Sequence, residues 1–460
     1  MKQLLLKYLF TMLLCVQLLI SSCSEDWLEV KRDRALIVPA TLKDMRLLLT
    51  DEFSVVSDNI GISGILTDEY YLSTETWQTL ITVVEKNGYI WGDDIYENAT
   101  NIEDWDKSYN QVLIANVVLE GLTNISTTSS NLTEWSTVRG SALYLRARAF
   151  FNIAQSFAKP YDNVTSSLDL GIPLRTRSDI NEPSVRASVK ETYEQIISDL
   201  EQATELLPES SISKIDPSKA AAYGLQARCY LSMREYDKAL TNANTCLQLY
   251  NTLIDYNSLD QSSFYPFQRF NTEVIHHAQI DPLYGVYIFF FPNYVDPNLY
   301  NSYDDNDLRK ALFFYDLGDE NYSFKGTYEG SITPFSGIST DEMYLIRAEC
   351  NARLGETDQA MNDLNTLLIN RFIAGTFVPL TASSSSEAVS IILTERRKEL
   401  LGRGLRWSDL RRLNKEDTYA ISLTRSIDGI EYTLPPNDSR YVLQIPEYVI
   451  KTSGIQQNPR

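Results

Sequence analysis

Apolar residues recur at spacings of three and four along several stretches of the chain, which is the pattern of amphipathic α-helices. In residues 102–122, this spacing places Trp105 and Tyr109 on one face of a predicted helix. Residues 141–157 are rich in alanine, leucine and aromatic residues, and residues 188–207 open with a serine that fits a helix N-cap. The pattern therefore predicts three long helices in the first half of the chain.

Two later stretches, residues 221–249 and 341–368, repeat one design. Each stretch contains two small residues twelve positions apart, with a short polar turn between them. These small residues are Ala227 and Ala239 in the first stretch and Ala348 and Ala360 in the second. Small residues at this spacing allow two antiparallel helices to approach closely, as in a tetratricopeptide hairpin. Residues 141–157 and 188–207 predict one more hairpin of this kind. We therefore predict a mostly α-helical fold in which tetratricopeptide-like hairpins form a solenoid scaffold.

Long aromatic-rich segments interrupt the helical pattern. Residues 251–335 combine many tyrosines and phenylalanines with prolines and asparagines, and no long helix fits them. Residues 59–100 are similar, with glycine and threonine between the rings. Irregular loops of this length within a compact fold are usually functional. We therefore expect an N-terminal region over residues 23–250, an irregular insertion over 251–335 and a C-terminal region over 336–460.

The N-terminus has the pattern of an export signal. Lys2 and Lys7 precede an apolar run of signal length, and residues 1–22 contain no acid. The sequence Ile20-Ser21-Ser22-Cys23 resembles a bacterial lipobox, in which the cysteine becomes the lipid-carrying first residue of the mature protein. Several acyl chains on one residue anchor a protein stably to a membrane. We therefore predict that residues 1–22 are a removed signal peptide and that Cys23 is lipidated. The acidic residues that follow it resemble a tag for export to the outer face of the outer membrane.

Composition narrows the classes of partner. The chain has 460 residues and a formal net charge of −20 at pH 7, which disfavours binding to nucleic acid and to anionic membrane surfaces. Its five cysteines do not form a disulfide framework, because two of them lie at the N-terminus and the other three lie within predicted helices. Cys229, Cys246 and Cys350 are therefore expected to be small buried side chains.

Several motifs together resemble those of the SusD/RagB-like family of outer-membrane nutrient-binding lipoproteins. The resemblance extends over nearly the whole chain, and its most specific parts are ERRKELLGRGLRWSDLRRL (395–413) and the ending YVLQIPEYVIKTSGIQQNP (441–459). Further matching stretches are residues 89–122, 140–161, 188–208 and 304–313. One departure is Arg403, where the family usually has an acid. We expect only a local change there, with the loss of an exposed ion pair to Arg406.

The resemblance implies a binding protein, not an enzyme. Members of this family sit on a TonB-dependent, SusC-like transporter at the extracellular face of the outer membrane. They capture oligosaccharides, or peptides in some members, and pass them to the transporter. The resemblance therefore implies an oligosaccharide ligand, a transporter partner and a lipid anchor in the outer membrane. The arginine-rich stretch 395–412 contains acids as well, so we expect it to be structural and not a phosphate site.

Aromatic residues on the predicted loops are the candidate ligand-binding residues. A flat ring offers area to the apolar face of a sugar, and a tyrosine hydroxyl or a carboxylate can bond to its hydroxyl rim. The candidates are Trp77, Tyr89, Trp91, Asp93, Tyr284, Tyr287 and Tyr294. The alternative for Tyr89 and Trp91 is that these rings plug the helix layer beneath the loop. The run of three phenylalanines at 289–291 fits core packing better than ligand binding.

No catalytic set and no cofactor motif emerges from the sequence. It contains no nucleophile elbow, no zinc-protease motif and no phosphate-binding loop. The acidic run at residues 304–307 resembles a calcium loop only weakly, because Arg309 and Tyr315 occupy the positions that need glycine and glutamate. We expect no metal or cofactor, with calcium as the open alternative. Two further functions stay open: a lipid-anchored glycoside hydrolase, and a tetratricopeptide scaffold that binds peptides.

Overall fold

The computed structural model describes residues 39–52, 54–281, 293–326 and 328–460. Residues Thr41–Arg460 form one compact unit. The predicted signal segment 1–22 and the lipidation candidate Cys23 lie outside the described residues, and so does the phenylalanine run at 289–291. The predicted region boundaries after residues 250 and 335 fall inside the compact unit and stay predictions.

Helices dominate this unit, as the sequence predicts, and they alternate with short strands. The α-helices of the described residues are α1 (Leu42–Leu49), α2 (Gly61–Ile65), α3 (Thr74–Thr79), α4 (Val83–Tyr89), α5 (Glu103–Gly121), α6 (Leu132–Phe157), α7 (Val189–Leu206), α8 (Lys219–Met233), α9 (Tyr236–Leu249), α10 (Pro297–Asn301), α11 (Leu308–Phe313), α12 (Thr340–Arg353), α13 (Thr357–Leu368), α14 (Ser385–Glu399), α15 (Arg406–Leu413) and α16 (Glu447–Ser453).

The helical hairpins are those that the sequence predicts. Helix α8 packs on α9, α12 packs on α13, and α6 packs on α7 across the intervening loop. The four alanines of the repeated design are fully buried where the paired helices meet. The turns between the paired helices use left-handed backbone, at Arg234 (φ 62°) and at Gly355 (φ 92°). Because α9 also packs on α12, the hairpins join into one scaffold, which confirms the tetratricopeptide-like solenoid.

The strands are short and pair two by two. They are β1 (Ser57–Asp58), β2 (Tyr70–Tyr71), β3 (Leu170–Pro173), β4 (Arg186–Ser188), β5 (Val274–His276), β6 (Gln279–Ile280), β7 (Tyr294–Val295), β8 (Phe314–Asp316), β9 (Tyr322–Phe324), β10 (Ile338–Ser339), β11 (Leu423–Ile427) and β12 (Ile430–Leu434). The antiparallel pair β2–β7 places Tyr71 opposite Tyr294. Strands β11 and β12 form a hairpin whose turn residues Asp428 and Gly429 both have positive φ angles.

Many rings of the aromatic-rich insertion lie in the hydrophobic core. Tyr256, Phe267, Phe313 and Tyr328 are each at most 3% exposed. Their ring centroids lie 5.2 to 6.3 Å apart in tilted and edge-to-face contacts. These geometries are the favourable ones for aromatic pairs. The insertion is therefore irregular, as expected, but much of its aromatic content supports the fold.

The arginine-rich stretch forms buried ion pairs, which agrees with its predicted structural role. Arg396 and Arg412 both bind Asp409 at 2.8 Å, and Arg412 also binds Glu349. Burial alone would raise the pKa of Asp409, but the two guanidinium groups hold it at about 2. Since Arg396 and Arg412 face carboxylates and the core, these two side chains are not available to a phosphate group.

The surroundings of Arg403 differ from the exposed position near Arg406 that the sequence predicts. Its side chain is buried and binds Asp341 at 2.7 Å, with the guanidinium carbon 4.0 Å from the centroid of the Tyr328 ring. Arg406 instead forms a two-armed ion pair with Asp68, at 2.6 and 2.7 Å. The expected exposed pair between positions 403 and 406 is therefore wrong, because these two side chains face different partners. An acid at position 403 would lie in a buried site beside Asp341.

Three buried carboxylates lie close together at the centre of the molecule. Oxygens of Glu273, Asp341 and Glu399 lie within 4.8 Å of one another, as in a metal site. Arg371 binds both glutamates, at 2.9 and 2.8 Å, and Arg403 binds the aspartate. Guanidinium groups therefore supply the positive charge that a metal would otherwise supply, so the residues around this cluster do not favour an additional cation.

The cysteines and the acidic run at residues 304–307 have defined surroundings in the fold. Cys229, Cys246 and Cys350 are free and buried, as expected. In the acidic run, Asp307 binds Arg309 at 2.6 Å and Asp305 binds Lys310 at 2.7 Å, so their carboxylates already have cationic partners.

Of the helices in the described residues, none has both the length and the apolar character that a membrane span requires.

Candidate functional site

A groove of about 590 Å³ opens between β2, the start of α10 and β11. Its walls combine rings, charged groups and residues 421–426. Helix α14 adds Arg397 to one side. Clefts of this size that combine aromatic surface with a few polar groups are typical of sites for small ligands. The elements come from three distant parts of the chain, so the groove exists only in the folded protein.

The floor of the groove is a stack of rings around one arginine. The guanidinium carbon of Arg425 lies 4.0 Å from the centroid of the Tyr89 ring and 4.5 Å from that of Trp91. The indole Nε1–H of Trp91 donates to the carbonyl of Leu66 at 3.0 Å, and the Tyr89 hydroxyl accepts from the backbone N–H of Leu72 at 2.7 Å. These contacts satisfy the polar atoms of both rings inside the protein.

The structure therefore supports the alternative interpretation of Tyr89 and Trp91, in which their rings pack into the layer beneath the loop. They are only 1% and 2% exposed. Trp91 follows the C-terminus of α4 with a left-handed backbone (φ 51°), a conformation that the surrounding contacts must maintain. A ring buried to this degree has no open face on which a sugar could stack. The structure assigns both rings to the base of the groove and not to its stacking surface.

A charged rim borders the groove. Arg397 reaches the carboxylate of Asp296 at 2.8 Å and that of Asp68 at 3.2 Å, and Asp68 is also held by Arg406. Burial alone would raise the pKa of Asp68, but the charges and hydrogen bonds of these arginines hold it well below its ordinary value. Asp68 is therefore ionised at neutral pH, and both rim carboxylates are already paired with arginine, so the rim presents fixed hydrogen-bonding groups with little unbalanced charge.

The open aromatic surface beside the groove is the pair Tyr71 and Tyr294. Their ring centroids lie 5.2 Å apart with an interplanar angle of 34°, and both side chains are half-buried. The Tyr71 hydroxyl donates to the Asn321 side chain at 2.7 Å, which fixes the orientation of its ring. A second, parallel pair lies on nearby elements, where Tyr300 and Tyr322 stack with centroids 3.4 Å apart. These rings combine partial exposure with a fixed orientation.

The other sequence candidates are dispersed. Trp77 on α3 is half-buried, and its indole N–H donates to the carbonyl of Lys86 at 3.0 Å. Asp93 is exposed on the loop after α4, outside the lining of the groove. Tyr284 and Tyr287 lie outside the described residues. Of the candidates, the structure thus brings Tyr89, Trp91 and Tyr294 to one region.

Sequence reasoning did not select Tyr71 or the rim residues. Tyr71 faces Tyr294 only because β2 pairs with β7, and these strands lie more than 220 positions apart. Asp68, Arg397 and Arg425 likewise meet through the fold. The adjacent pair Tyr70-Tyr71 is the sequence feature that could have identified Tyr71. Successive strand residues point to opposite faces, so one ring can be buried while the next stays accessible.

Comparisons with known proteins agree with this architecture. A family model for SusD-like proteins, described as starch-binding and associating with the outer membrane, matches residues 26–231. A model for the SusD family, SusD_RagB, matches residues 338–460. Together these matches extend over most of the chain. The chain belongs to the SusD/RagB-like family.

Relatives and solved structures of this family resemble the chain over most of its length. A SusD-like protein from Formosa agariphila is 23% identical over 408 residues, which cover 73% of this chain and 76% of the relative. A SusD superfamily protein from Bacteroides thetaiotaomicron has a TM-score of 0.74 at 22% identity, covering 91% of this chain and 100% of that one. A surface glycan-binding protein A from Bacteroides uniformis has a TM-score of 0.68 at 15% identity, covering 91% and 98%. At these identities the solved structures support the SusD-like fold.

Proposed function

We propose that this protein captures oligosaccharides in the groove, at the extracellular face of the outer membrane, and delivers them unchanged to a TonB-dependent, SusC-like transporter. The observation that carries the proposal is the pair Tyr71 and Tyr294, which borders a groove with a fixed polar rim. The glycan-binding relative from Bacteroides uniformis supports the ligand class. The outer-membrane association in the family description supports the location.

The chemistry of the groove suits a sugar. The apolar C–H face of a pyranose gains contact area against a tyrosine ring, and an ordered ring loses little conformational entropy on binding. The sugar hydroxyls can then bond to Asn298, to the hydroxyls of Tyr71 and its neighbour Tyr294, and to the polar residues among 421–426. Because Arg397 and Arg406 already pair with the rim carboxylates, an uncharged ligand does not have to displace any ion pair. We therefore favour a neutral oligosaccharide.

Hydrolysis in the groove is the less favoured alternative. Asp68 and Asp296 both contact Arg397, so their carboxylates lie near each other as in a glycosidase pair. A general acid, however, needs a raised pKa, and the pKa of Asp68 is lowered. Burial does raise the pKa of the neighbouring Glu69 to about 7, but this side chain is 3% exposed and accepts from the Gly402 N–H at 3.1 Å. Glu69 does not line the groove and has no route to a glycosidic oxygen.

Peptide binding along the helical repeats is also less favoured. Helix α12 lies at the centre of the scaffold and packs against α9, α13 and α14. All but two of its residues are buried, from Thr340 to Ala352. A scaffold that binds peptides needs an accessible groove along its repeat helices, and α12 is already covered by other parts of the same chain.

The direct test uses the soluble chain, residues 24–460, on an array of plant, algal and bacterial oligosaccharides. We expect binding to a related group of neutral oligosaccharides and no shortening of those ligands after prolonged incubation, measured by chromatography. An empty array would contradict glycan capture. Cleaved products would contradict the non-catalytic role while leaving the groove as the ligand site.

The membrane anchor is tested by replacing Cys23 with alanine. Lipid on this residue is the proposed attachment, so Cys23→Ala should move the protein from the membrane fraction to the soluble fraction of cells. Cys229→Ala is the matched control, because that thiol is buried within α8. Proteolysis of intact cells should degrade the wild-type protein if it faces outward. Retention of the Cys23 variant in membranes would contradict the lipid assignment.

A further inference from the structure

A second pocket of about 290 Å³ lies between the C-terminal end of α6, the end of α15 and residues 437–442. It shares no lining residue with the groove. Three of the side chains that line it are almost completely buried: Arg411 is 2%, Asn414 3% and Tyr441 3% exposed. Polar side chains buried to this degree need hydrogen-bond partners.

Each of these side chains has a buried polar atom without a hydrogen-bond partner in the described part of the protein. The atoms are Nε of Arg411, Nδ2 of Asn414 and the hydroxyl of Tyr441. Two of the three can only donate, and the third can donate or accept. A buried polar group that lacks a partner destabilises the folded protein. The Asn414 amide faces the Tyr441 hydroxyl closely enough to oppose the rise in its pKa, so these two groups can satisfy each other, and the buried Nε of Arg411 is the donor that indicates a missing acceptor.

The charge around the pocket indicates what kind of acceptor is missing. Its three carboxylates already have cations: Asp169 binds Lys159 at 2.6 Å, Asp438 binds Arg440 at 2.8 Å, and Asp162 lies 3.7 Å from Lys415. Asp162 also lies 3.9 Å from Arg234. The described residues offer no carboxylate to the buried guanidinium of Arg411, which donates instead to the carbonyls of Gln155 and Ala158.

Those two carbonyls belong to the C-terminal end of α6, whose partial negative charge offsets only part of a full positive charge. Burial accordingly lowers the pKa of the Arg411 guanidinium to about 10. Arg411 therefore stabilises the C-terminal end of α6. Its positive charge is not balanced by an ion pair within the described residues. Lys159 and Lys415 also line the pocket, each beside the carboxylate that it neutralises.

We propose that this pocket binds a small oxyanion, such as the carboxylate of an acidic sugar or a sulfate or phosphate group. The oxyanion accepts from Arg411, Asn414 and Tyr441 and lies near Lys415. It supplies Arg411 with the negative partner that the three carboxylates of the pocket, already paired with other cations, do not provide. The site is separate from the groove and takes the opposite class of ligand, an anion in place of a neutral sugar chain.

The test is calorimetric titration of the soluble chain with D-glucuronate, inorganic sulfate and inorganic phosphate at constant ionic strength, with D-glucose as the neutral control. Binding of at least one of the three anions, without comparable binding of glucose, supports the proposal and identifies the oxyanion. Absence of binding by all three anions, or equal affinity for glucose and glucuronate, overturns it.

The decisive variant is Asn414→Asp, which places a carboxylate in the pocket next to Arg411. In the wild type, the side-chain oxygen of Asn414 accepts from the N–H of Ile421 at 3.1 Å. Aspartate keeps an oxygen at this position, so the local fold keeps this contact. We expect anion affinity to fall at least tenfold, together with an increase in melting temperature. Lys415→Met, at the exposed rim of the pocket, should weaken binding about threefold. The matched control Tyr294→Ala changes the other site and should leave anion affinity unchanged. Unaltered affinity in Asn414→Asp, or a loss in Tyr294→Ala, overturns the assignment.

Discussion

Replacing Arg371 with methionine should lower the free energy of unfolding by about 3–5 kcal/mol, the usual effect of breaking a buried ion pair by removing one partner. Arg371 is fully buried and binds Glu273 at 2.9 Å, Glu399 at 2.8 Å and the carbonyl of Ile254 at 2.9 Å. Its guanidinium carbon lies 4.0 Å from the centroid of the Tyr256 ring. Methionine fills similar volume but leaves two buried carboxylates without this positive charge.

The loss should depend on pH in a predictable direction. Burial already raises the pKa of Glu273 to about 7 although Arg371 opposes this shift. Without Arg371, the native state holds a proton on Glu273 at pH values where the unfolded chain has released it. Because the native state then binds more protons, stability falls as pH rises above the ordinary glutamate pKa. The deficit of the variant should therefore be larger at pH 8 than at pH 5.5.

Urea denaturation followed by circular dichroism measures this difference at the two pH values. Arg46→Met is the matched control, since Arg46 forms a single ion pair with Asp216 at 3.0 Å and its side chain is 45% exposed. Exposed pairs contribute about 0–1 kcal/mol, so this control should remain close to the wild type. A loss of under 1 kcal/mol in Arg371→Met would show that the ion cluster does not hold the core together.

The scaffold could be predicted from sequence because its information is local. Apolar spacing places the long helices, and the alanine pairs at twelve-residue spacing identify the two hairpins at 221–249 and 341–368. Those alanines are fully buried, since helix axes that approach closely leave no room for larger side chains. The mixed charges of residues 395–412 likewise indicated a structural role, because acids and arginines in one stretch can neutralise one another.

The site could be predicted only in part because it depends on distant pairings. Trp91 was a candidate as an aromatic residue on a loop, but Arg425, more than 330 positions later, covers one part of it and buries it. Tyr71 became a candidate only through its strand partner Tyr294. Arg403 was misplaced for the same reason, since Asp341 is 62 positions away in sequence and adjacent in the fold. Periodicity carries no information about such contacts.

The double variant Tyr71→Ala/Tyr294→Ala should lose at least tenfold in affinity for the oligosaccharides found on the array. Each ring provides a half-buried face beside the groove, and a loss of about 1 kcal/mol for each ring amounts to roughly a 30-fold weaker complex. Stability should change little by comparison, because these rings are not enclosed in the core. Removal of Tyr71 also frees Asn321 to bond with water.

Phe264→Ala is the matched control for this variant. The Phe264 ring is 67% exposed and contacts Tyr315, so it is an accessible aromatic residue that lies outside the groove. If any exposed ring were sufficient for glycan binding, this variant would lose affinity as well. We expect it to bind like the wild type.

Calorimetric titration of one array-positive oligosaccharide into the wild-type chain, the double variant and the Phe264 variant is the most direct test of glycan capture at the groove. We predict tight binding in the wild type and in Phe264→Ala, and a loss of tenfold or more in Tyr71→Ala/Tyr294→Ala with its fold intact by circular dichroism. Wild-type affinity in the folded double variant would contradict the account.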